Sequence, residues 1–129
     1  MPDTPTSLRV LIVDDDTDIV DALSFALEQE GYTVFIACNG DEGIELAEKH
    51  NPDLVLLDMM MPKRSGFLVL EKLRRANRTP VRIIMMTANE GNRHREYAES
   101  LGVDAYLNKP VPINDLLARI RALFAGDES

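Results

Sequence analysis

Apolar residues fall along this chain in two alternating rhythms. Short, mostly apolar runs at 8–13 (LRVLIV), 33–37 (TVFIA), 53–57 (DLVLL) and 81–86 (VRIIMM) have the length and β-branched content of strands, and 104–107 (DAYL) is a weaker fifth. Between them the apolar positions take helical spacing. Ile19, Val20, Leu23 and Leu27 form one stripe, which Gly31 closes as a C-cap. Ile44 and Ala47 mark a second helix, and Phe67, Leu70 and Leu73 a third. Ile113, Leu116, Leu117, Ile120, Leu123 and Phe124 make the clearest stripe. The segment 89–100 is mostly polar, with Tyr97, Ala98 and then Leu101 to anchor it, so it is expected to be the least firmly packed helix.

Five β-α units in succession predict an α/β fold, a parallel sheet covered by helices on both faces. For five strands and five helices the common doubly wound, flavodoxin-like order is 2-1-3-4-5, with the second strand at an edge.

The 129 residues are expected to form a single domain, with a core at about 8–124 and frayed ends. A composition of 45% hydrophobic and 28% charged residues is that of a globular chain, not of a disordered one. A formal charge of −8 argues against direct nucleic-acid binding, which needs Lys and Arg in excess, and favours a basic partner or a bound cation. The lone Cys38 cannot form an internal disulfide and reads as a small buried residue in a reducing, cytoplasmic setting. No apolar run approaches the roughly 20 residues of a membrane span, so no membrane association is expected.

In a doubly wound sheet, ligands bind beyond the carboxyl ends of the strands. The first run ends in Asp14, Asp15 and Asp16, the third in Asp58, the fourth in Thr87 and the fifth in Lys109, whereas the edge run ends in Cys38 and Asn39. Two carboxylates about 4 Å apart repel by roughly 4 kcal/mol at an effective dielectric near 20. Lys109 offsets only part of such a cluster. A divalent cation relieves the rest, and oxygen-only ligands suit Mg²⁺ or Mn²⁺. A hard metal beside a carboxylate, a hydroxyl and a lysine is equipment for handling a phosphoryl group, with the carboxylate as nucleophile.

The motifs LIVDDD, LVLLDMMMPKRSG, MMTA and YLNKP, in this order and spacing, resemble the response-regulator receiver domain of two-component signalling over about residues 8–124. The resemblance implies that Asp58 is the phosphoacceptor, that Asp14, Asp15, Asp58 and the backbone carbonyl of Met60 hold Mg²⁺, and that Lys109 and Thr87 contact the phosphoryl oxygens. It implies that Tyr106 is an aromatic switch that rotates inward as Thr87 moves, and that a cis peptide precedes Pro110. The partners it implies are a histidine kinase or phosphotransfer protein and a downstream protein reached through the fourth and fifth helices and the fifth strand. Arg95, Asp115 and Arg119 resemble the face through which one branch of the family forms phosphorylation-linked homodimers. The chain departs from the family's usual pattern at Met60 and Asn89, positions that tune phosphate hydrolysis, at Lys63-Arg64-Ser65 before Gly66, and at Val111 after the proline.

Each residue has a plainer explanation when taken alone. Asp14, Asp15 and Asp16 could cap the first helix, and Asp16 is expected to be only that cap. Asp58 could be a turn residue, Thr87 a strand-end cap, Lys109 a solvated lysine and Tyr106 a half-buried strand residue. The methionines at 59–61, 85 and 86 read as flexible core filling. His50 and His94, and the arginines 74, 75, 78, 93 and 95, read as surface residues, with the dimer face as the alternative for Arg95. An Mg²⁺-dependent phosphatase is disfavoured because Met60 stands where its general acid belongs. A flavodoxin-like cofactor carrier is disfavoured because this chain has no glycine-rich phosphate loop and too few aromatics near the strand ends to sandwich a flavin, and a pseudo-receiver would differ only in lacking phosphotransfer. The chain is therefore expected to be a signalling receiver that catalyses only its own phosphotransfer and dephosphorylation, not an enzyme acting on other substrates.

Overall fold

Leu54–Asp58 carries no polar alternation before its last residue, so it must be covered on both faces, and it lies at the centre of the sheet. The computed structural model describes residues 8–59, 66–76, 81–88 and 92–125. In chain order the elements are β1 (Arg9–Val13), α1 (Thr17–Gln29), β2 (Thr33–Ala37), α2 (Gly40–His50), β3 (Leu54–Asp58), α3 (Gly66–Ala76), β4 (Arg82–Thr87), α4 (Asn92–Ser100), β5 (Ala105–Asn108) and α5 (Ile113–Ala125). The strands are all parallel in the order β2-β1-β3-β4-β5, as the sequence led us to expect. Among the described residues no helix is long and apolar enough to cross a membrane.

The two-residue period of the strands divides the core. Leu11, Val13, Val55, Leu57, Ile83, Met85 and Tyr106 share one face with residues of α2, α3 and α4. Val10, Ile12, Leu54, Leu56, Ile84, Met86 and Ala105 share the other with α1 and α5. Strands β3, β4 and β5 each begin and end one residue later than the apolar runs suggest. Asp53 lies just below β3, its carboxylate accepting the Arg9 N–H at 2.9 Å and its carbonyl the Arg82 N–H at 3.1 Å. The shift makes Asp58 and Thr87 the last rungs of their strands, paired in register with Met86 and Asn108.

Helix ends follow their local chemistry. Asp16 is the N-cap of α1, its carboxylate accepting the N–H groups of Asp18 and Ile19 at 3.1 and 3.3 Å. Glu30 is the C-cap, and Gly31, at φ 90°, turns the chain out of the helix one residue later. Within α4, Ala98 alone is buried among the described side chains 95–100. Tyr97, expected as an anchor, is 49% exposed, because the inward positions fall at Ala98 and, one turn on, at half-buried Leu101.

Three further expectations are corrected. Cys38 is exposed, not buried: it follows the inward-facing Ala37 at the end of an edge strand, and its N–H donates to Glu42 Oε1 at 2.6 Å. His50 is half-buried and stacks on Phe35 with ring centroids 4.1 Å apart, while its carbonyl accepts from Arg9. Arg74 is not a solvated helix residue. Its guanidinium donates to the carbonyls of Val81 and Gly102 and pairs with Asp104 at 2.9 Å, while Asp104 also accepts the Ile83 N–H at 2.7 Å. This network joins the end of α3 to the starts of β4 and β5. Arg74→Ala is expected to destabilise the fold by about 2 kcal/mol, the scale of hydrogen bonds to a charged group. Arg74→Lys should recover little, because an ammonium cannot span the fork. Urea unfolding midpoints at unchanged m-value measure both.

Candidate functional site

Strand β1 delivers Asp14 into the sheet's carboxyl edge. Its N–H still donates to Ala37 O at 3.1 Å, so the backbone is held as an extension of the ladder. The carboxylate, only 1% exposed with its residue, accepts the Asp16 N–H on Oδ1 at 3.0 Å and the Lys109 ammonium on Oδ2 at 2.8 Å. Asp15 is exposed, and Asp58 is buried at the end of β3. One carboxylate oxygen from each of Asp14, Asp15 and Asp58 lies within 4.8 Å of the others.

Backbone contacts fix Asp58 from below and beside. The Met59 N–H donates to Met86 O at 2.9 Å, and the Gly66 N–H donates to Met59 O at 2.8 Å. A Cβ on Gly66 would lie 2.4 Å from Asp58 O and 2.8 Å from Met59 Cα, closer than any side chain tolerates. Glycine at 66 is therefore required by this approach of α3 to the end of β3. Met60, assigned a carbonyl role in the sequence reading, lies outside the described residues. So do Lys63, Arg64, Ser65, Arg78 and Asn89, and the side chains of Phe67, Arg93 and His94.

Lys109 closes the cluster from β5. Its N–H donates to Thr87 O at 2.7 Å, the peptide to Pro110 is cis, and its Nζ lies 2.8 Å from Asp14 Oδ2 and 3.3 Å from Asp58 Oδ1. Burial pulls the ammonium's pKa down, but the carboxylates of Asp14 and Asp58 outweigh it, so Lys109 stands above its ordinary value. Among the described residues, three carboxylates and one ammonium leave a formal charge of −2. An oxygen-only set with that surplus fits a hard divalent cation.

Thr87 is fully buried at the end of β4, beside Tyr106 of β5. The Tyr106 ring is 7% exposed and points inward, its hydroxyl 3.7 Å from Met59 Sδ. Burial pushes the phenol's pKa up, while a hydrogen bond with Thr87 and the charge of Arg95 pull it partly back. Of the sequence-predicted site residues, the described ones thus come together in two adjoining groups: Asp14, Asp15, Asp58 and Lys109, and Thr87 with Tyr106. Two contributors were not legible beforehand. Met59 seats the Tyr106 hydroxyl, and Arg95 lies over the Tyr106 ring, its Cζ 5.9 Å from the centroid. Neither carries a sequence signal beyond its proximity to the strand ends.

Residues 10–121 match the family model of the response regulator receiver domain. A Synechocystis protein described as a DNA-binding dual master transcriptional regulator, RpaA, is 43% identical over 116 residues, 89% of this chain and 48% of that protein. The chain thus spans about half the length of that curated relative. A CheY-like receiver domain protein from Methanospirillum hungatei superposes with a TM-score of 0.90 at 36% identity, covering 95% of this chain and 98% of the other. The receiver in a CheX-CheY-BeF₃-Mg²⁺ complex from Borrelia burgdorferi superposes with a TM-score of 0.85 at 28% identity, covering 91% and 89%.

The charge balance has a measurable consequence in metal-free buffer. A lysine whose folded pKa is raised stabilises the fold below its unfolded value of 10.5, and that contribution is lost as pH rises through the folded value. Lys109→Met is expected to lower stability at pH 7–9 by roughly 3 kcal/mol, since it removes the ammonium that two buried carboxylates share. The difference between wild type and variant should shrink above about pH 10.5. Chemical denaturation across that range, with EDTA present, measures it.

Proposed function

The chain belongs to the response regulator receiver domain family, the signalling module of two-component systems, and from that premise we propose that it is a phosphorylation-activated switch with Asp58 as the acceptor. The donor is the phosphohistidine of a histidine kinase or phosphotransfer protein. A carboxylate oxygen of Asp58 attacks phosphorus, the P–N bond to the donor imidazole breaks, and an acyl phosphate forms on Asp58. The imidazole leaves with its electron pair and takes a proton from solvent. What supports this reading is the convergence of Asp14, Asp15 and Asp58 beside Lys109 at the carboxyl edge of the sheet.

The carboxylates of Asp14, Asp15 and Asp58, with the carbonyl of Met60, are the groups that would hold Mg²⁺, or Mn²⁺ in its place. The metal's contribution when bound is to offset the negative charge of the site and the incoming phosphoryl group. Lys109 already stands within 3.3 Å of Asp58 and supplies a positive charge to the phosphoryl oxygens. The Thr87 hydroxyl, at the next strand end, is the group to hydrogen-bond a phosphoryl oxygen, and its shared bond with Tyr106 passes that change to the α4-β5-α5 face.

In this reading residues 1–129 form one receiver domain in the cytoplasm, with its core at about 8–124. It acts on a downstream protein, without direct contact to nucleic acid or membrane. Arg95, Asp115 and Arg119 are all exposed on the output face and are the proposed contacts of a phosphorylation-linked homodimer. The Synechocystis relative is described as DNA-binding, but the −8 charge of this chain assigns no such contact to it.

Incubation with Mg²⁺ and a small phosphodonor, read by intact mass, is expected to add one phosphoryl group to the wild type and none to Asp58→Asn. Asp15→Ala should slow the gain and weaken Mg²⁺ binding by at least about tenfold, the scale of losing a charge-assisted contact of roughly 1.5–3 kcal/mol. Equal labelling of Asp58→Asn would remove Asp58 from the role. Self-dephosphorylation should be slow, because the apolar Met60 side chain cannot orient an attacking water. Met60→Asn is expected to shorten the acyl phosphate's half-life by about tenfold or more, and an unchanged decay would contradict the assignment.

A further inference from the structure

Tyr106 is gripped from inside by Thr87 and Met59, and its opposite side meets a residue of another element. The guanidinium of Arg95, from α4, lies over the ring with Cζ 5.9 Å from the centroid. Its Nε is also 3.4 Å from Glu99 Oε2, one turn along the same helix, which orients the group. We propose that Arg95 is a positioning residue that acts through Tyr106, holding the ring in its inward seat and so fixing the partner of the Thr87 hydroxyl. The inference rests on the reading of Tyr106 as the switch residue and specifies what controls it.

The physical case starts from α4. Among its described side chains 95–100 only Ala98 is buried, so few apolar contacts tie this part of the helix to the sheet. A cation within about 6 Å of an aromatic centroid is attracted by the ring's negative face, and arginine's planar group also stacks. The attraction needs the guanidinium over the ring, so it is felt only while α4 keeps this position. A small shift of α4 removes the cover, and outward rotation of Tyr106 displaces the guanidinium. Each motion therefore biases the other.

Arg95 also bears on the homodimer contact proposed above. Its neighbours in this structure are the Tyr106 ring and Glu99 of its own chain. A carboxylate on a second copy that captured Arg95 would draw it off the ring.

An exposed cation over a ring changes the ratio of inward to outward ring by about two- to fivefold. The test uses the whole chain with ¹³C-labelled tyrosine and methionine methyl groups. Tyr106→Phe identifies the Tyr106 ring signals among those of Tyr32 and Tyr97. In wild type a ring-to-methyl NOE between Tyr106 and Met59 is expected. In Arg95→Met, which keeps an apolar stem and removes the charge, that NOE should weaken and the inward-to-outward ratio fall about two- to fivefold. Arg95→Lys should restore part of it, while Tyr32 keeps its shifts. Tyr106 signals in Arg95→Met that superimpose on wild type would overturn the proposal, as would an Arg95→Lys variant no better than Arg95→Met. Because the ring is observed without any phosphodonor, the outcome is separate from that of Asp58 labelling. A ring that responds in a chain that takes no phosphoryl group would retain Arg95 and discard the switch chemistry.

Discussion

Everything at the carboxyl edge of this sheet answers to one electrostatic problem: two carboxylates, Asp14 and Asp58, are buried beside a third with a single ammonium between them. In water such a group would disperse. Here the backbone forbids it, because Asp14 is still bound to the β2 ladder and Asp58 is the last rung of β3. Lys109 is held in turn by its backbone N–H, which donates to the Thr87 carbonyl. The fold thus holds an excess of negative charge in place, and that excess makes the site receptive to a cation.

In the proposed switch, the same strand ends link a charge change at Asp58 to the neighbouring strands. Asp58 pairs with Met86, the residue before Thr87, and Thr87 pairs with Asn108, the residue before Lys109. A change at the Asp58 carboxylate is therefore felt one rung away on either side. Tyr106 lies on the α3–α4 side of the sheet, reached by Thr87 and Met59 from within and by Arg95 from outside. The opposite end of the sheet is built to stay still. There Arg74 and Asp104 bind α3, β4 and the start of β5 into one network. A fixed base and a lightly held α4 place the freedom to move on the side that carries Tyr106 and Arg95.

The elements, the cap at Asp16 and the convergence of Asp14, Asp15, Asp58, Thr87 and Lys109 on one edge were legible in the sequence. The two-residue and 3.6-residue rhythms assign elements locally, while the strand order was expected only as the common doubly wound arrangement, in which each strand's last residues share an edge. Strand limits were legible only to within a residue, since Asp53 and Asp58 bound the same apolar run and the rhythm alone does not choose between them.

What the sequence could not decide was which side chains meet across elements. Tyr97 and Ala98 are adjacent in the chain, yet the tertiary structure turns one outward and the other into the core. Arg74 and Arg75 look alike in sequence, but Arg74 reaches carbonyls and a carboxylate supplied by residues from Val81 to Asp104, whereas Arg75 is exposed with Glu71 of its own helix 4.0 Å away. Cys38 is small and apolar enough for a core, but it follows the edge strand's inward-facing Ala37 and is exposed. Arg95 lies over Tyr106 because β5 and α4 are packed together, a relation that no local pattern encodes. Periodicity determined the elements and the edge where the chemistry gathers. Packing decided the partners of the long polar and aromatic side chains, because their reach spans elements that only the folded chain brings together.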